Sequence, residues 1–229
     1  RSMPLLQQFL VAPLFAYTRF GKWEEILKEP APDQDAHFLT GVWRYARGLA
    51  YTATGRPDDA TRELGRLQQI AAMDPLDGLK VTFSRNGARA ILEIAVAVLA
   101  GELAAARGDF EQAIVRLHRG VLLEDNLIYM EPPDWHVPVR QSLGAVLLAA
   151  GRAAEAEAVY WQDLNHNREN GWALFGLMQS LRAQGKEEQA AVIERRLNAA
   201  WGRADVKLTA SRFMGEGKIA IAAQAEKAR

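Results

Sequence analysis

The densest group of side chains that could do chemistry lies between Tyr129 and His136, in the sequence Tyr-Met-Glu-Pro-Pro-Asp-Trp-His. Glu131, Asp134 and His136 belong to types that ligate zinc or a similar cation, and they could also transfer protons in acid–base catalysis. Two adjacent prolines stiffen the segment, so a structural role is the alternative: Asp134 would cap the next helix and Trp135 would cover the end of the core. The sequence favours this structural role over a metal site and leaves contact with a ligand or partner open.

Other catalytic groups are scarce in this chain. It has no cysteine, which excludes disulfides, thiolate nucleophiles and Cys-ligated zinc. There is no Gly-rich phosphate loop, Gly-x-Ser-x-Gly elbow or metalloprotease helix, and His37, His118 and His166 stand apart from one another. The sequence therefore favours a binding module over an enzyme, and it predicts no catalytic residue, metal or cofactor.

Charge and hydropathy argue against two classes of partner. Lys plus Arg and Asp plus Glu both number 28, so no net field attracts nucleic acid. The longest apolar stretch, 88–107, contains charged side chains that would be costly inside a bilayer, and we expect no membrane span. Charges such as Arg44, Arg47 and Glu63 are interpreted as solvated helix faces. The compartment stays open, with the cytoplasm slightly favoured.

One short pattern recurs along the chain: a Gly, a residue three positions later, a second Gly four positions after that, and an Ala five positions further on. Its copies are Gly48, Tyr51, Gly55 and Ala60; Gly101, Ala104, Gly108 and Ala113; Gly144, Leu147, Gly151 and Ala156; and, in part, Leu181, Gly185 and Ala190. A glycine within a helix lets another helix approach closely, and a glycine after a helix adopts the left-handed conformation that ends it. Each copy predicts two helices joined at the second glycine.

These residues resemble the tetratricopeptide repeat, a helix–turn–helix unit of about 34 residues. Leu64, Leu117 and Tyr160 stand where that repeat has a large residue. The resemblance implies an all-α fold, a right-handed superhelical array of antiparallel helix pairs, with about five units in 1–201 and a C-terminal cap or tail in 202–229. The turn glycines would be Gly21, Gly55, Gly108, Gly151 and Gly185, with inserted loops at 74–87 and 125–136.

Helix pairs are expected over the ranges 4–27, 35–73, 88–124, 137–165 and 172–200. The stretches 131–144 and 170–177 also resemble the C-terminal part of longer bacterial tetratricopeptide-repeat proteins that lack a defined activity. That resemblance implies that further repeats precede this chain, and it supplies no substrate.

The resemblance further implies an inner groove lined by the first helix of each unit. The groove positions are mostly apolar or aromatic and lack the Lys and Asn with which some family members clamp a C-terminal carboxylate. Aromatic side chains there would anchor a peptide. In the alternative, neighbouring helices or the inserted loops fill the groove and leave a smaller pocket. The candidate residues are Tyr45, Gln141, Trp172, Phe175 and Gln179 in the groove, and Trp135, His136 and Arg140 at the pocket rim.

The expected function is protein–protein interaction or scaffolding, with a peptide or protein partner in this groove. The alternative is a small-ligand-binding or uncharacterised enzymatic role in a pocket near the loop 129–140. A homo-oligomer is a further expectation, because Leu5, Phe9 and Leu14 would form an apolar end face that a second copy can cover.

Overall fold

In the computed structural model, which describes residues 7–33, 35–76, 79 and 86–213, every regular element is helical. The all-α class is therefore confirmed. Within these ranges no helix combines the length and the apolar character needed to cross a membrane. The α-helices are α1 (Gln7–Arg19), α2 (Trp23–Lys28), α3 (His37–Ala53), α4 (Pro57–Ala71), α5 (Ala88–Ala106), α6 (Phe110–Asp125), α7 (Val139–Ala149), α8 (Ala153–His166), α9 (Gly171–Arg182) and α10 (Glu187–Trp201), with a short 3₁₀ helix at Asp74–Leu76.

Tight turns join these helices into antiparallel pairs, from α1–α2 to α9–α10. Each turn has one glycine at positive φ, between 64° at Gly21 and 82° at Gly108. The backbone N–H after that glycine donates to a carbonyl five residues earlier, as Arg56 N does to Tyr51 O at 2.8 Å. Glycine adopts this left-handed conformation without strain, which ends the first helix of the pair. The turns lie at the predicted residues: Gly21, Gly55, Gly108, Gly151 and Gly185.

Glycines inside the first helices lie where two helices of a pair cross. A Cβ on Gly101 would be 2.6 Å from Leu117 Cγ, and a Cβ on Gly144 would be 2.4 Å from Tyr160 Cζ. Leu117 and Tyr160 are large residues of the repeat pattern, and both are fully buried. The pattern thus encodes both the close approach of the helices and the side chain that fills it.

The helices form two compact units, one up to Val137 and one from Pro138 onward. In the first unit, α3 and α5 supply most of the buried residues. In the second unit, α7 and α9 do so. The loop after α6 belongs to the first unit, and the described segment after α10 belongs to the second.

A buried carboxylate ties α3 to α4 in the first unit. Glu63 is 5% exposed, and it accepts hydrogen bonds from Arg44 at 2.8 Å and Arg47 at 3.2 Å. Both guanidinium groups also lie over the Trp43 ring, at 4.5 and 4.7 Å. The interpretation of these three charges as a solvated face is wrong, because packing of the helix pair buries Glu63 and leaves Arg44 and Arg47 only partly exposed.

Candidate interaction surfaces

One buried side chain, Asn86, fixes the loop between α6 and α7 (residues 126–138). Its Nδ2 donates to Ile128 O at 2.8 Å and to Asp134 Oδ2 at 2.7 Å, and its Oδ1 accepts from Ile128 N at 2.8 Å. The N-cap residue of α7 is Pro138, which offers no capping side chain. Asp134, which was expected to cap this helix, is bound by an amide 48 residues away in sequence.

Two rings of this loop pack onto helices of the first unit. Trp135 is 3% exposed, with its ring centroid 5.9 Å from that of Phe15 and 5.4 Å from that of Tyr45. His136 stacks on Phe15 with a centroid distance of 3.8 Å. Tyr45 is thereby buried, and burial raises its pKa. At this point the inserted loop covers the groove, as the alternative interpretation stated.

Hydrogen bonding fixes the position of the proton on His136. Thr18 Oγ1 donates its only hydrogen to Phe15 O at 2.9 Å, so it can only accept from His136 Nε2, 3.0 Å away. Nδ1 then carries a lone pair, and it is buried without a hydrogen-bond partner in the described part of the chain. Burial, followed by the positive charge of Arg19, lowers the pKa of His136 to about 3. The ring is neutral at pH 7.

The carboxylates of the loop do not converge with His136. Tyr129 is 82% exposed, and its hydroxyl donates to Glu131 Oε1 at 2.7 Å, which raises the pKa of Tyr129. Glu131 is exposed, whereas Asp134 binds Asn86. Across the described residues, no three His, Asp or Glu side chains form a group able to hold a metal ion.

In the second unit the segment 203–213, called the strap below, covers first-helix residues. Trp172 is only 5% exposed, and its ring lies 5.2 Å from Phe213 and 5.6 Å from Trp201. Trp201 Nε1 donates to Val206 O at 2.7 Å, which holds the start of the strap. The described part of the expected C-terminal cap or tail thus covers a predicted anchor residue. Residues 214–229 of that expectation lie outside the described ranges.

The other candidate residues of this unit, three from the groove and Arg140 from the pocket rim, divide into buried and partly exposed ones. Gln141 is fully buried, and its side-chain N–H donates to Asp163 at 3.0 Å and to Asn170 at 3.2 Å. It therefore links three helices of the unit and does not face a partner. Arg140, Phe175 and Gln179 are partly exposed.

An open cleft of about 630 Å³ lies in the first unit, between α4 and α6 and above α5. It runs along one face of α5, and Ala95, Val98 and Glu102 on the opposite face of that helix are buried. Its apolar lining includes Leu64, Val96, Ala97, Ala100, Leu103 and Leu123.

The cleft carries an excess of positive charge. Arg116 and Arg119 of α6 line it, both are exposed, and neither has an ion pair or hydrogen bond in the described ranges. The carboxylates of the lining are Glu93, which is exposed, and Asp109, whose Oδ1 accepts from Gln112 N at the start of α6. Two arginines are thus available for an anionic partner, since Arg side chains bind carboxylates with directed hydrogen bonds.

Two further arginines hold the walls of the cleft in place. Arg89 donates to Ala71 O at 2.6 Å and to Met73 O at 3.0 Å, at the carboxyl end of α4. Arg107 donates to Thr61 Oγ1 at 2.6 Å near the start of the same helix. Both ends of α4 are therefore fixed to α5, which preorganises the cleft for binding.

Sequence reasoning missed this cleft, although part of its signal is readable. Gln112, Arg116, Arg119 and Leu123 recur at helical spacing and so share one face of α6. The spacing alone matches an ordinary solvated face. Only the packing of α4 beside α6 turns that face into a cleft wall. Sequence reasoning also missed Asn86, Phe15 and Thr18, whose partners are distant in sequence.

The tetratricopeptide-repeat family model matches residues 42–66, 94–119 and 142–160, which lie in the pairs α3–α4, α5–α6 and α7–α8. The chain is thus an all-α protein with three segments that match the tetratricopeptide repeat. Repeats of this type present extended surfaces to protein partners, which gives the chain a protein-interaction role in general terms.

Solved structures of MamA match the chain at low identity. A crystal structure of MamA matches with a TM-score of 0.48 and 14% identity, over 89% of this chain and 98% of that one. MamA of MSR-1 matches with a TM-score of 0.47 and 21% identity, over 87% and 99%. At these values the similarity says nothing about a ligand or partner of this chain. No curated protein matches the sequence.

Proposed function

We propose that this protein is an interaction module that binds an acidic, amphipathic segment of a protein partner in the cleft between α4 and α6. The observation that carries the proposal is an open apolar cleft with Arg116 and Arg119 on one wall. Both arginines are exposed, and neither is paired with another residue of the described part of the chain. Tyr45 and Trp172, which the sequence predicted as anchors, are covered by the chain itself.

The partner's chemistry follows from the lining. Aliphatic side chains of α4, α5 and α6 form an apolar floor, which favours a segment with an apolar stripe, because burial of that stripe supplies the non-directional part of the binding free energy. Arg116 and Arg119, three residues apart on α6, lie one helical turn from each other. They favour carboxylates at matching positions on the segment, which also orient it in the cleft.

A direct test uses a synthetic helical peptide of about 15 residues, the length at which isolated helices become stable, with Leu on one face and Glu beside it. Binding of the fluorescein-labelled peptide is measured by anisotropy at low and high salt. We expect binding that weakens as salt screens the charges. The double variant Arg116→Glu/Arg119→Glu should weaken it by roughly tenfold or more.

Two controls separate this site from general charge attraction. The variant Arg195→Glu/Arg203→Glu makes the same change in net charge at exposed arginines of the second unit and should bind as the wild type does. A peptide with Lys in place of Glu should not bind. Equal weakening by both double variants, or no binding of the acidic peptide to the wild type, would show that the cleft is not the site.

A small-ligand role for the loop 126–138 is a second candidate. It is supported by two buried polar atoms, Trp135 Nε1 and His136 Nδ1, that lack hydrogen-bond partners within the described residues. Together they offer one donor and one acceptor. Native mass spectrometry of gently purified protein should show a bound small molecule that the Trp135→Phe/His136→Phe variant lacks. Identical ligand-free masses for both proteins would eliminate this role.

A further inference from the structure

Tyr160 of α8 passes between two glycines of the second unit. A Cβ on Gly144 of α7 would lie 2.4 Å from Tyr160 Cζ, and one on Gly176 of α9 would lie 2.2 Å from the same atom. The ring therefore fills the crossing of α7 and α9, and its hydroxyl reaches Ser211 of the strap at 2.7 Å. A phenylalanine ring would fill the same crossing, so the hydroxyl serves the contact with the strap.

The direction of the hydrogen bonds around Ser211 follows from counting protons. Ser211 Oγ donates its one hydrogen to Gln141 O at 2.7 Å. It must therefore accept from the Tyr160 hydroxyl. All three residues are buried, and the helical unit thus presents one donor and one carbonyl acceptor to a single hydroxyl side chain.

An apolar contact follows two residues further along the strap. The Phe213 ring meets Trp172 edge-on at 5.2 Å, and Trp172 also contacts Trp201 at 5.6 Å. Ser211 and Phe213 lie in a stretch of strap without regular secondary structure. The strap is thus held like a bound peptide, with one side chain fixed by hydrogen bonds and one by aromatic packing.

We propose that the face formed by α7 and α9 is a second peptide-binding site, and that the strap is its ligand in cis. The partner that fits this face is an extended segment with a hydroxyl side chain followed two residues later by an aromatic one. This site is independent of the acidic-segment cleft, because it lies on different helices and recognises uncharged groups. Since the strap is covalently attached, its high effective concentration keeps the face closed to weak competitors.

The test uses the full chain and a labelled peptide with the sequence of residues 203–213. In the variant Ser211→Ala/Phe213→Ala the strap loses both contacts, so the labelled peptide should bind about tenfold or more tightly than to the wild type. The matched control is Lys207→Ala, an exposed strap residue, which should bind the peptide as weakly as the wild type. A peptide with both Ala substitutions should bind to none of these proteins. Failure of the wild-type peptide to bind the double variant, once circular dichroism shows that variant folded, overturns the proposal.

If the double variant does not fold, hydrogen exchange on the wild-type chain tests whether the strap can be displaced from the face formed by α7 and α9. We expect strap amides to exchange through a local opening, faster than the amides of α9, and to exchange faster still when excess 203–213 peptide displaces the strap. Strap amides that exchange only with global unfolding, and at a rate that the peptide does not change, would show that the strap is a fixed part of the fold.

Discussion

At the residue scale, the Tyr160 ring allows no added atom on either side. We predict that Gly144→Ala lowers the free energy of unfolding by about 2 to 3 kcal/mol, because its new methyl group would overlap a ring that Gly176 confines from the other side. Urea unfolding measures the change.

The matched control for this substitution is Gly65→Ala in α4. A Cβ on Gly65 would meet nothing within 4 Å, so only the better helix propensity of alanine acts. We expect this variant to be more stable by about 0.5 to 1 kcal/mol. A Gly144→Ala protein as stable as the Gly65→Ala protein would contradict the packing of Tyr160.

Burial of His136 predicts that the free energy of unfolding depends on pH. The pKa of His136 falls from an ordinary 6.5 to about 3 on folding, so below pH 6.5 the unfolded chain binds a proton that the folded chain does not. The contribution of the neutral ring is complete at pH 7 and is lost as the pH falls from 6.5 toward 3. Relative to His136→Gln, the wild type should lose about 1 kcal/mol of unfolding free energy between pH 7 and pH 5. This loss is smaller than the full effect of the pKa shift, because the residue keeps some solvent contact.

The matched control is His118→Gln, which makes the same substitution at an exposed side chain of α6. A pH dependence of unfolding that changes in His136→Gln and not in this control assigns the effect to the ring of His136. If His136→Gln and the wild type lose stability in parallel between pH 7 and pH 5, then the ring of His136 is not held neutral by burial.

At the scale of elements, the position of the loop 126–138 depends on Asn86. Asn86→Ala removes the acceptor of Ile128 N and one donor to Asp134, which should cost about 2 kcal/mol or more, because buried hydrogen bonds are lost. Hydrogen exchange at Ile128 should accelerate, and protease cleavage within the loop should become faster.

Asn126→Ala tests whether any asparagine of this loop has the same effect. The Asn126 side chain is exposed, and among the described residues its one hydrogen-bond partner is Leu122 O, within one helical turn. We expect its replacement to leave both the Ile128 exchange rate and the cleavage rate near those of the wild type. Equal effects of the two substitutions would mean that Asn86 does not position the loop.

At the scale of the whole molecule, the exposed apolar face of α1 predicts weak self-association. Phe9 is 59% and Leu10 57% exposed, and a net charge of zero supplies little repulsion between copies. Leu14, which was expected in this face, is buried instead, and Leu5 lies outside the described residues. Light scattering over a concentration series should show a rising mass that Phe9→Gln/Leu10→Gln reduces.

Val192→Gln on α10, at 46% exposure, replaces a single apolar side chain elsewhere on the surface and should leave the self-association unchanged. A wild-type chain that stays monomeric at the highest concentration would rule out the end face as an interface.

The helix pairs and their turns can be read from the amino-acid sequence alone. Gly55 and Gly108 end helices because their left-handed conformation is a local property of the backbone. Gly101 and Gly144 indicate helix crossings, because the side chain that packs on each glycine belongs to the same helix pair. It lies 16 residues further along the chain in both cases. Such contacts recur in successive repeat units, so they can be recognised from the recurring sequence pattern.

Which faces of those helices are open depends on packing between residues that are far apart in the sequence. Tyr45 is covered by a loop 90 residues away in sequence, and Trp172 by Phe213, while Arg116 remains on an open wall. Helical periodicity shows that residues share a face, but not what packs against it. The loop and the strap dock through long-range contacts, such as those of Asn86 and Ser211, that occur at one place in the chain and not in every repeat unit. Such contacts leave no repeating pattern in the sequence.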